Sequence, residues 1–302
     1  MVLFEDLTVV VQGPVDGEQT AYCLKSIRKC LPGSRVILST WIGSDLSGIE
    51  LLCDEVVLSE DIGAVVQRGS NDGSKLKNRY SNINRQIRST LGGLNRVESK
   101  YVLKIRTDVA LENSNFLKYF GLYEDYDAKY KYVQQRILLW NLYTRNPHIR
   151  HQYPDHYSDV VMFGLRDDML NVWDIPFCSA DDNIIIGDYL CARYFPEQYL
   201  WLSFLRKYNN VNCPQYDTKC KEIKKISECY LVNNVVLLNS KQYGLEVLKK
   251  SILSHCPWTC YSHADWRSLY NKQNSGKTSG SYIWLKLKGC YFLLSPVVFV
   301  WR

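Results

Sequence analysis

The apolar positions in the first third of the chain fall into short β-branched runs separated by helical spacings. Leu7-Thr-Val-Val-Val-Gln12 is such a run and predicts a strand, stopped by the Gly13-Pro14 breaker. Thr20 to Cys30 has helical spacing, with Leu24, Ile27 and Leu31 on one side and Pro32-Gly33 at its end. Ser34 to Trp41 predicts a second strand and Leu51 to Leu58 a third. Asp61 to Lys77 is polar and Gly-rich and reads as a surface loop. Asn82 to Leu94 predicts a helix, with Ile83, Ile87 and Leu91 on one face. Tyr101-Val-Leu-Lys-Ile-Arg-Thr-Asp108 then reads as a buried strand that ends on a carboxylate. Strands and helices alternating at this pace predict an α/β fold with a mainly parallel sheet.

The second half is less regular. Tyr132 to Arg136, Asp159 to Gly164 and Tyr230 to Leu238 read as strands. Arg166 to Trp173, Asp182 to Tyr194, Glu197 to Tyr208 and Tyr243 to Ile252 read as helices, and the Lys-rich stretch from Asn210 to Ser227 as an excursion or loop. The carboxyl end, from Tyr282 to Arg302, is apolar with a few basic positions. It is too interrupted to span a bilayer, and suits either an interfacial segment or an element packed on the core.

Composition narrows the class. With 46% apolar residues in 302, the chain can bury a full core, which excludes wholesale disorder. The net charge of +6 fits anionic small molecules or an anionic surface, but it is too small and too evenly spread for nucleic acid. The 22 tyrosines and 8 tryptophans suit sugar rings as well as cores. The amino terminus lacks a basic region and a sustained apolar run, so no secretory signal is expected and the protein should be cytosolic. Eleven scattered cysteines, an odd number, read as reduced thiols. His255, Cys256, Cys260 and His263 crowd together, but two-Cys, two-His zinc sites split their pairs across a longer loop, so a polar turn with ordinary thiols is expected.

Three groups of residues carry candidate chemistry. Asp108 ends an inner strand, which is where an open α/β sheet places its ligand. A carboxylate there can hold a divalent cation, and the cation a diphosphate, although Asp is also common in turns. Lys104 and Arg106 precede it. The turn Gln12-Gly13-Pro14, followed by Asp16, stands after the first strand, a common nucleotide position, but carries neither a P-loop nor a dinucleotide glycine pattern. Asn82, Arg85 and Gln86 share one helical face, and the Arg85 fork suits a phosphate.

Several of these segments occur in a specific order. Val9-Val-Val-Gln-Gly-Pro14 is followed by Ser26-Ile-Arg-Lys with Leu31-Pro-Gly33, and by Ile37-Leu-Ser-Thr-Trp41. Asn84-Arg-Gln-Ile87 with Ser89-Thr90 and Gly93-Leu94, then Leu103-Lys-Ile-Arg-Thr-Asp108, complete the first half. Ser158-Asp159 with Phe163-Gly164, Pro196-Glu-Gln-Tyr199, and Asp265-Trp266 with Leu269-Tyr270 come later. This set resembles the WavE family of lipopolysaccharide-synthesis proteins over nearly the whole chain.

The resemblance implies a GT-A-like glycosyltransferase with a mainly parallel, Rossmann-like sheet flanked by helices. Residues 1–230 would form the nucleotide-sugar-binding and catalytic domain. Residues 231–302 would form an irregular acceptor-side segment that completes the fold. The implied reaction moves a sugar from a nucleotide-activated donor to a hydroxyl of a growing surface glycan: capsule, O-antigen or lipopolysaccharide core. Gln12, Gly13, Pro14 and Asp16 would line the nucleoside end, while Asn82, Arg85, Gln86, Arg106 and Asp108 would manage the diphosphate, directly or through Mg²⁺ or Mn²⁺. GT-A enzymes usually hold their metal with Asp-x-Asp, and here the triplet is Arg106-Thr107-Asp108. Metal use is still expected, with His263 as a late ligand. The alternative is that Lys104 and Arg106 neutralise the diphosphate themselves. Glu197, at a helix start after Pro196, is the first candidate for general base, then Asp159, then Asp182. The expected partners are a nucleotide-sugar donor and a glycan or lipid-linked acceptor, with peripheral contact at the inner face of the cell membrane through the carboxyl end. A transferase of a CDP-linked alditol phosphate and a non-catalytic glycan-binding scaffold are the rival readings.

Overall fold

The computed structural model describes residues 2–67, 79–149, 153–179, 194–209, 211, 220–249 and 259–275. In chain order, β1 (Leu7–Gln12), α1 (Gly17–Cys30), β2 (Arg35–Trp41) and β3 (Glu55–Ser59) come first. A small antiparallel pair, β4 (Val65–Gln67) and β5 (Arg79–Ser81), leads to α2 (Ile83–Leu94), β6 (Tyr101–Arg106) and β7 (Val109–Leu111). Then follow β8 (Ile137–Trp140), β9 (Met162–Leu165), α3 (Arg166–Trp173), α4 (Pro196–Arg206) and α5 (Lys221–Asn234). The last described elements are β10 (Val235–Leu238), α6 (Ser240–Tyr243), β11 (Leu245–Val247) and α7 (His263–Ser275).

Seven of the strands form one sheet in the order β3-β2-β1-β6-β9-β8-β10. All run parallel except β9, which is antiparallel to both β6 and β8. The protein is therefore an α/β fold with a mostly parallel, Rossmann-like sheet of the GT-A kind, as expected. Strand order proceeds from β1 through β2 to β3 on one side and restarts at β6 on the other. The carboxyl ends of β1 and β6 thus flank a topological switch point, where such sheets leave a crevice. Every residue of β1 is buried, because α2 packs on β1, β2 and β3 while other layers cover the opposite face. Val9, Val10 and Val11 are fully buried, and burial of each contributes about 1.5–3 kcal/mol.

Four expectations for the second half need correction, each for a visible reason. Tyr132 to Arg136 forms no strand. The Gln134 and Gln135 amides donate to the Asp168 carboxylate, and the buried Arg136 guanidinium donates to the carbonyls of Val232, Tyr123 and Asp125. Side chains satisfy the backbone there, so no ladder is needed. The stretch read as a loop from Asn210 to Ser227 contains the start of α5, and the strand read from Tyr230 begins only at Val235. Asn234 makes the boundary: its Nδ2 donates to the Tyr230 carbonyl and its Oδ1 accepts from the Tyr132 amide. Finally, the helix read over Tyr243 to Ile252 stops at once. Gly244 adopts φ 79°, a left-handed C-cap, and a Cβ there would sit 2.3 Å from Asn113 Oδ1. The chain leaves α6 as β11, which pairs antiparallel with β7.

Among the described residues, no helix is long and apolar enough to cross a membrane. The helix expected from Asp182 and the apolar carboxyl segment fall outside the described residues.

Candidate active site

The switch point holds a cleft of about 410 Å³, within the range of small-molecule sites. Eight of the residues singled out in the sequence line it: Gln12, Gly13 and Pro14 at the end of β1, Asn82, Arg85 and Gln86 at the start of α2, and Arg106 and Asp108 at the end of β6. The two strand ends are tied together. The Thr107 amide donates to the Gln12 carbonyl (3.1 Å), and Thr107 Oγ1 donates to the Pro14 carbonyl (2.9 Å). Gly13 is required at this junction: its φ is 136°, and a Cβ would lie 2.9 Å from Thr107 Oγ1.

Each carboxylate of the cleft is held by an arginine fork. Arg106 Nε and Nη2 donate to the two oxygens of Asp108 at 2.9 and 2.6 Å. Arg85 Nε and Nη2 donate to those of Asp61 at 2.6 and 2.7 Å, which keeps the Asp61 carboxyl below its usual range. Gln12 Nε2 donates to Ser89 Oγ (2.7 Å), but Gln12 Oε1 and Gln86 Oε1 are buried with no partner among the described residues. Buried acceptors are nearly always satisfied, so two orphans lining one cleft mark a place built to meet donors from outside. The first turn of α2 adds the positive end of a helix dipole.

Three expected members of the site are elsewhere. Asp16 caps α1, accepting from the amide and side chain of Gln19. Lys104 is fully buried within the sheet. Its ammonium donates to the Asp159 carbonyl and lies 4.9 Å over the Trp173 ring, and burial depresses its pKa to about 8. It cannot reach a ligand in the cleft, which removes it from the diphosphate-binding set. His263 starts α7, with Nδ1 bonded to the Leu237 carbonyl (2.7 Å) and Nε2 facing Tyr123 Oη (3.3 Å). Both ring nitrogens are engaged and it does not line the cleft, so it is not placed to share a cation with Asp108. Among the described residues, no cluster of three His, Cys, Asp or Glu side chains could hold a metal. With the oxygens of Asp108 and Asp61 occupied by guanidinium groups, the donor set does not fit a protein-held divalent cation.

Behind the cleft lies a partly buried polar cluster that joins two other candidates. Asp159 is 3% exposed, and Glu197 sits at the start of α4 with its Oε2 3.7 Å from His156 Nε2. Burial, then the neighbouring Asp159 carboxylate, push Glu197 up to about 8. Burial and these same carboxylates push the Tyr143 hydroxyl up to about 12. Arg145 and Arg106 oppose the effect on Glu197, so Arg106 is shared electrostatically between the cleft and the cluster. His156 Nδ1 bonds to the Tyr143 carbonyl (2.8 Å), so Nδ1 carries a proton and Nε2 faces Glu197. Tyr143 (φ 70°) and Asp155 (φ 54°) are the non-glycine residues with left-handed φ among the described residues, and both adjoin His156. Backbone strain of this kind costs about 1–3 kcal/mol per residue and persists where surrounding structure holds it. The third candidate base, Asp182, lies outside the described residues.

A family-level sequence match to WavE, lipopolysaccharide synthesis, covers residues 7–290. The chain belongs to the WavE family. No curated protein matches it. Membership ties this WavE protein to lipopolysaccharide synthesis, and the matched span contains both the cleft and the polar cluster.

Sequence reasoning missed several residues of the WavE cleft. Trp41 ends β2 at the same carboxyl edge as Gln12, so the strand-end rule that singled out Asp108 would also have found it. Asp61 was hidden in the Gly-rich stretch, and Lys249 behind a helix that does not form. For Tyr143, Arg145 and His156 no local signal exists, because irregular segments carry them to Glu197.

Proposed function

We propose that this WavE protein is a glycosyltransferase that moves a sugar from a nucleotide-activated donor to a hydroxyl of a growing lipopolysaccharide or related surface glycan. The observation that supports this most is the pairing of arginine forks with orphaned amide oxygens in one cleft at the switch point. The forks match a diphosphate, Gln12 and Gln86 match the donors of a base or sugar, and Trp41 offers a ring for stacking.

In the proposed reaction the acceptor hydroxyl oxygen bonds to the anomeric carbon. The bond from that carbon to the diphosphate oxygen breaks, and its electron pair leaves with the nucleoside diphosphate. Arg106 and Arg85 stabilise the charge that builds on the leaving group. The hydroxyl proton passes to the Glu197 carboxylate, which a raised pKa makes a competent base. Asp159 sustains that raised pKa, and His156 orients the carboxylate.

The test is release of nucleoside diphosphate from a panel of nucleotide sugars, with lipopolysaccharide precursors supplied as acceptor. Release from one donor that depends on acceptor supports the transferase. Binding of a nucleotide sugar with no release under any acceptor condition would move the reading to a glycan-binding subunit.

A further inference from the structure

We infer that the cleft takes the diphosphate of its nucleotide by arginine exchange, with no divalent cation held by the protein. This rests on the nucleotide reading above and goes beyond it by assigning the ligand chemistry. The lining carries three cations, Arg85, Arg106 and Lys249, against two carboxylates, Asp61 and Asp108. That balance favours a polyanion. Each carboxylate already receives a two-point fork. For Asp108 to ligate a cation, Arg106 would have to leave it and remain beside the incoming dication, since both stem from the same strand end two residues apart. Like charge opposes that arrangement. A diphosphate faces no such obstacle. Its oxygens present the same planar, two-point pattern to a guanidinium that a carboxylate does, so each fork can change partner without losing a hydrogen bond.

Exposure supports the exchange. The Arg85 and Asp61 side chains are 34% and 42% exposed, and the Arg106 side chain is 31% exposed. Ion pairs reached by water contribute little net stability, so a ligand displaces them at small cost. Asp61, once released, turns to solvent. Asp108, only 14% exposed, is left as an unpaired negative charge at the cleft wall, which opposes rather than aids a bound polyanion. The carboxylates thus hold the forks in place until the ligand arrives.

The experiment is calorimetric titration of the full chain with ADP, CDP, GDP and UDP, each in excess EDTA and in Mn²⁺. Wild type, Arg106→Gln, Asp108→Asn and Asp61→Asn are compared, with folding checked by thermal melting. Arginine exchange predicts that at least one nucleoside diphosphate binds in EDTA within about threefold of its affinity in Mn²⁺. Arg106→Gln should weaken it by about tenfold or more, the usual scale of a lost charge-assisted contact. The two carboxylate variants should bind as well as wild type or more tightly, because each frees a fork. Metal ligation predicts the opposite for Asp108→Asn. Binding that appears only with Mn²⁺, or that falls about tenfold in a folded Asp108→Asn, overturns the inference and leaves the transferase reading standing. If Asp108→Asn fails to fold, the EDTA comparison and Asp61→Asn decide. No binding of any nucleoside diphosphate, with or without metal, overturns both.

Discussion

The cleft and the cluster behind it each hold a pair of carboxylates, and they treat them in opposite ways. Asp61 and Asp108 face the cleft, each clasped by an arginine, partly in reach of water. Asp159 is buried and Glu197, its side chain 13% exposed, neighbours it; among the described residues no arginine fork clasps either, and Arg145 and Arg106 act on Glu197 across space. In the first setting charge is neutralised pair by pair and stays exchangeable. In the second, desolvation and like charge make the second negative charge costly, so a proton is held instead. The same residue type thus serves a ligand's charge in one place and a proton in the other. Arg106, facing both, is where the two settings meet.

The largest expected effect separates them. Glu197→Gln should lower turnover by about 10²–10⁴-fold, the usual contribution of a general base, and leave donor affinity unchanged. Parallel assays of nucleotide binding and product release would check it, and equal losses in both would break the division of labour. A second effect is on pH. The groups facing Glu197 are Asp159, His156, Tyr143, Arg145 and Arg106. Glu197 accepts a proton only as the carboxylate, and its raised value is about 8. Turnover should therefore climb by about tenfold per pH unit below that value and level off above it. A profile already flat from pH 6 upward would exclude Glu197 as the base.

Stability gives a third, smaller signal. Between the ordinary carboxylate range and about 8, the folded chain keeps a proton on Glu197 that the unfolded chain has released. Stability from this group is thus fully present at low pH and lost as pH rises through that window. Glu197→Gln has no such proton, so its melting temperature should gain on wild type as pH rises toward about 8 and hold a constant margin beyond. The smallest effect belongs to the cleft: Asp61→Asn breaks a half-exposed pair and should change unfolding free energy by less than about 1 kcal/mol, measured by urea titration.

How far these regions could be read in advance also differs. The cleft was legible because its residues sit at the ends of regular elements: β1 is a β-branched run closed by Gly13-Pro14, β6 ends on Arg106 and Asp108, and α2 shows its polar face at Asn82, Arg85 and Gln86. Lys104 shows the limit, since it shares a strand with Arg106 yet turns its ammonium to an internal carbonyl. The cluster was legible only at Glu197 and Asp159. His156 and Arg145 arrive on irregular backbone, tied by scattered long-range contacts such as the His156–Tyr143 hydrogen bond and the bond from Arg145 to Thr259. No periodicity encodes contacts of that kind. In the same way, Gly244 and Asn234 set element boundaries through a left-handed turn and a side-chain bridge, inside apolar runs that otherwise continue.

The proposed function requires that a nucleotide sugar dock in the cleft at the switch point. Its most direct test is the melting temperature of the full chain titrated with each of a panel of nucleotide sugars, beside an Arg85→Gln/Arg106→Gln double variant. One donor should raise the wild-type melting temperature progressively with concentration, by mass action on the folded state, and the folded double variant should show no such rise. No rise for any nucleotide sugar, or an equal rise in both proteins, would contradict it.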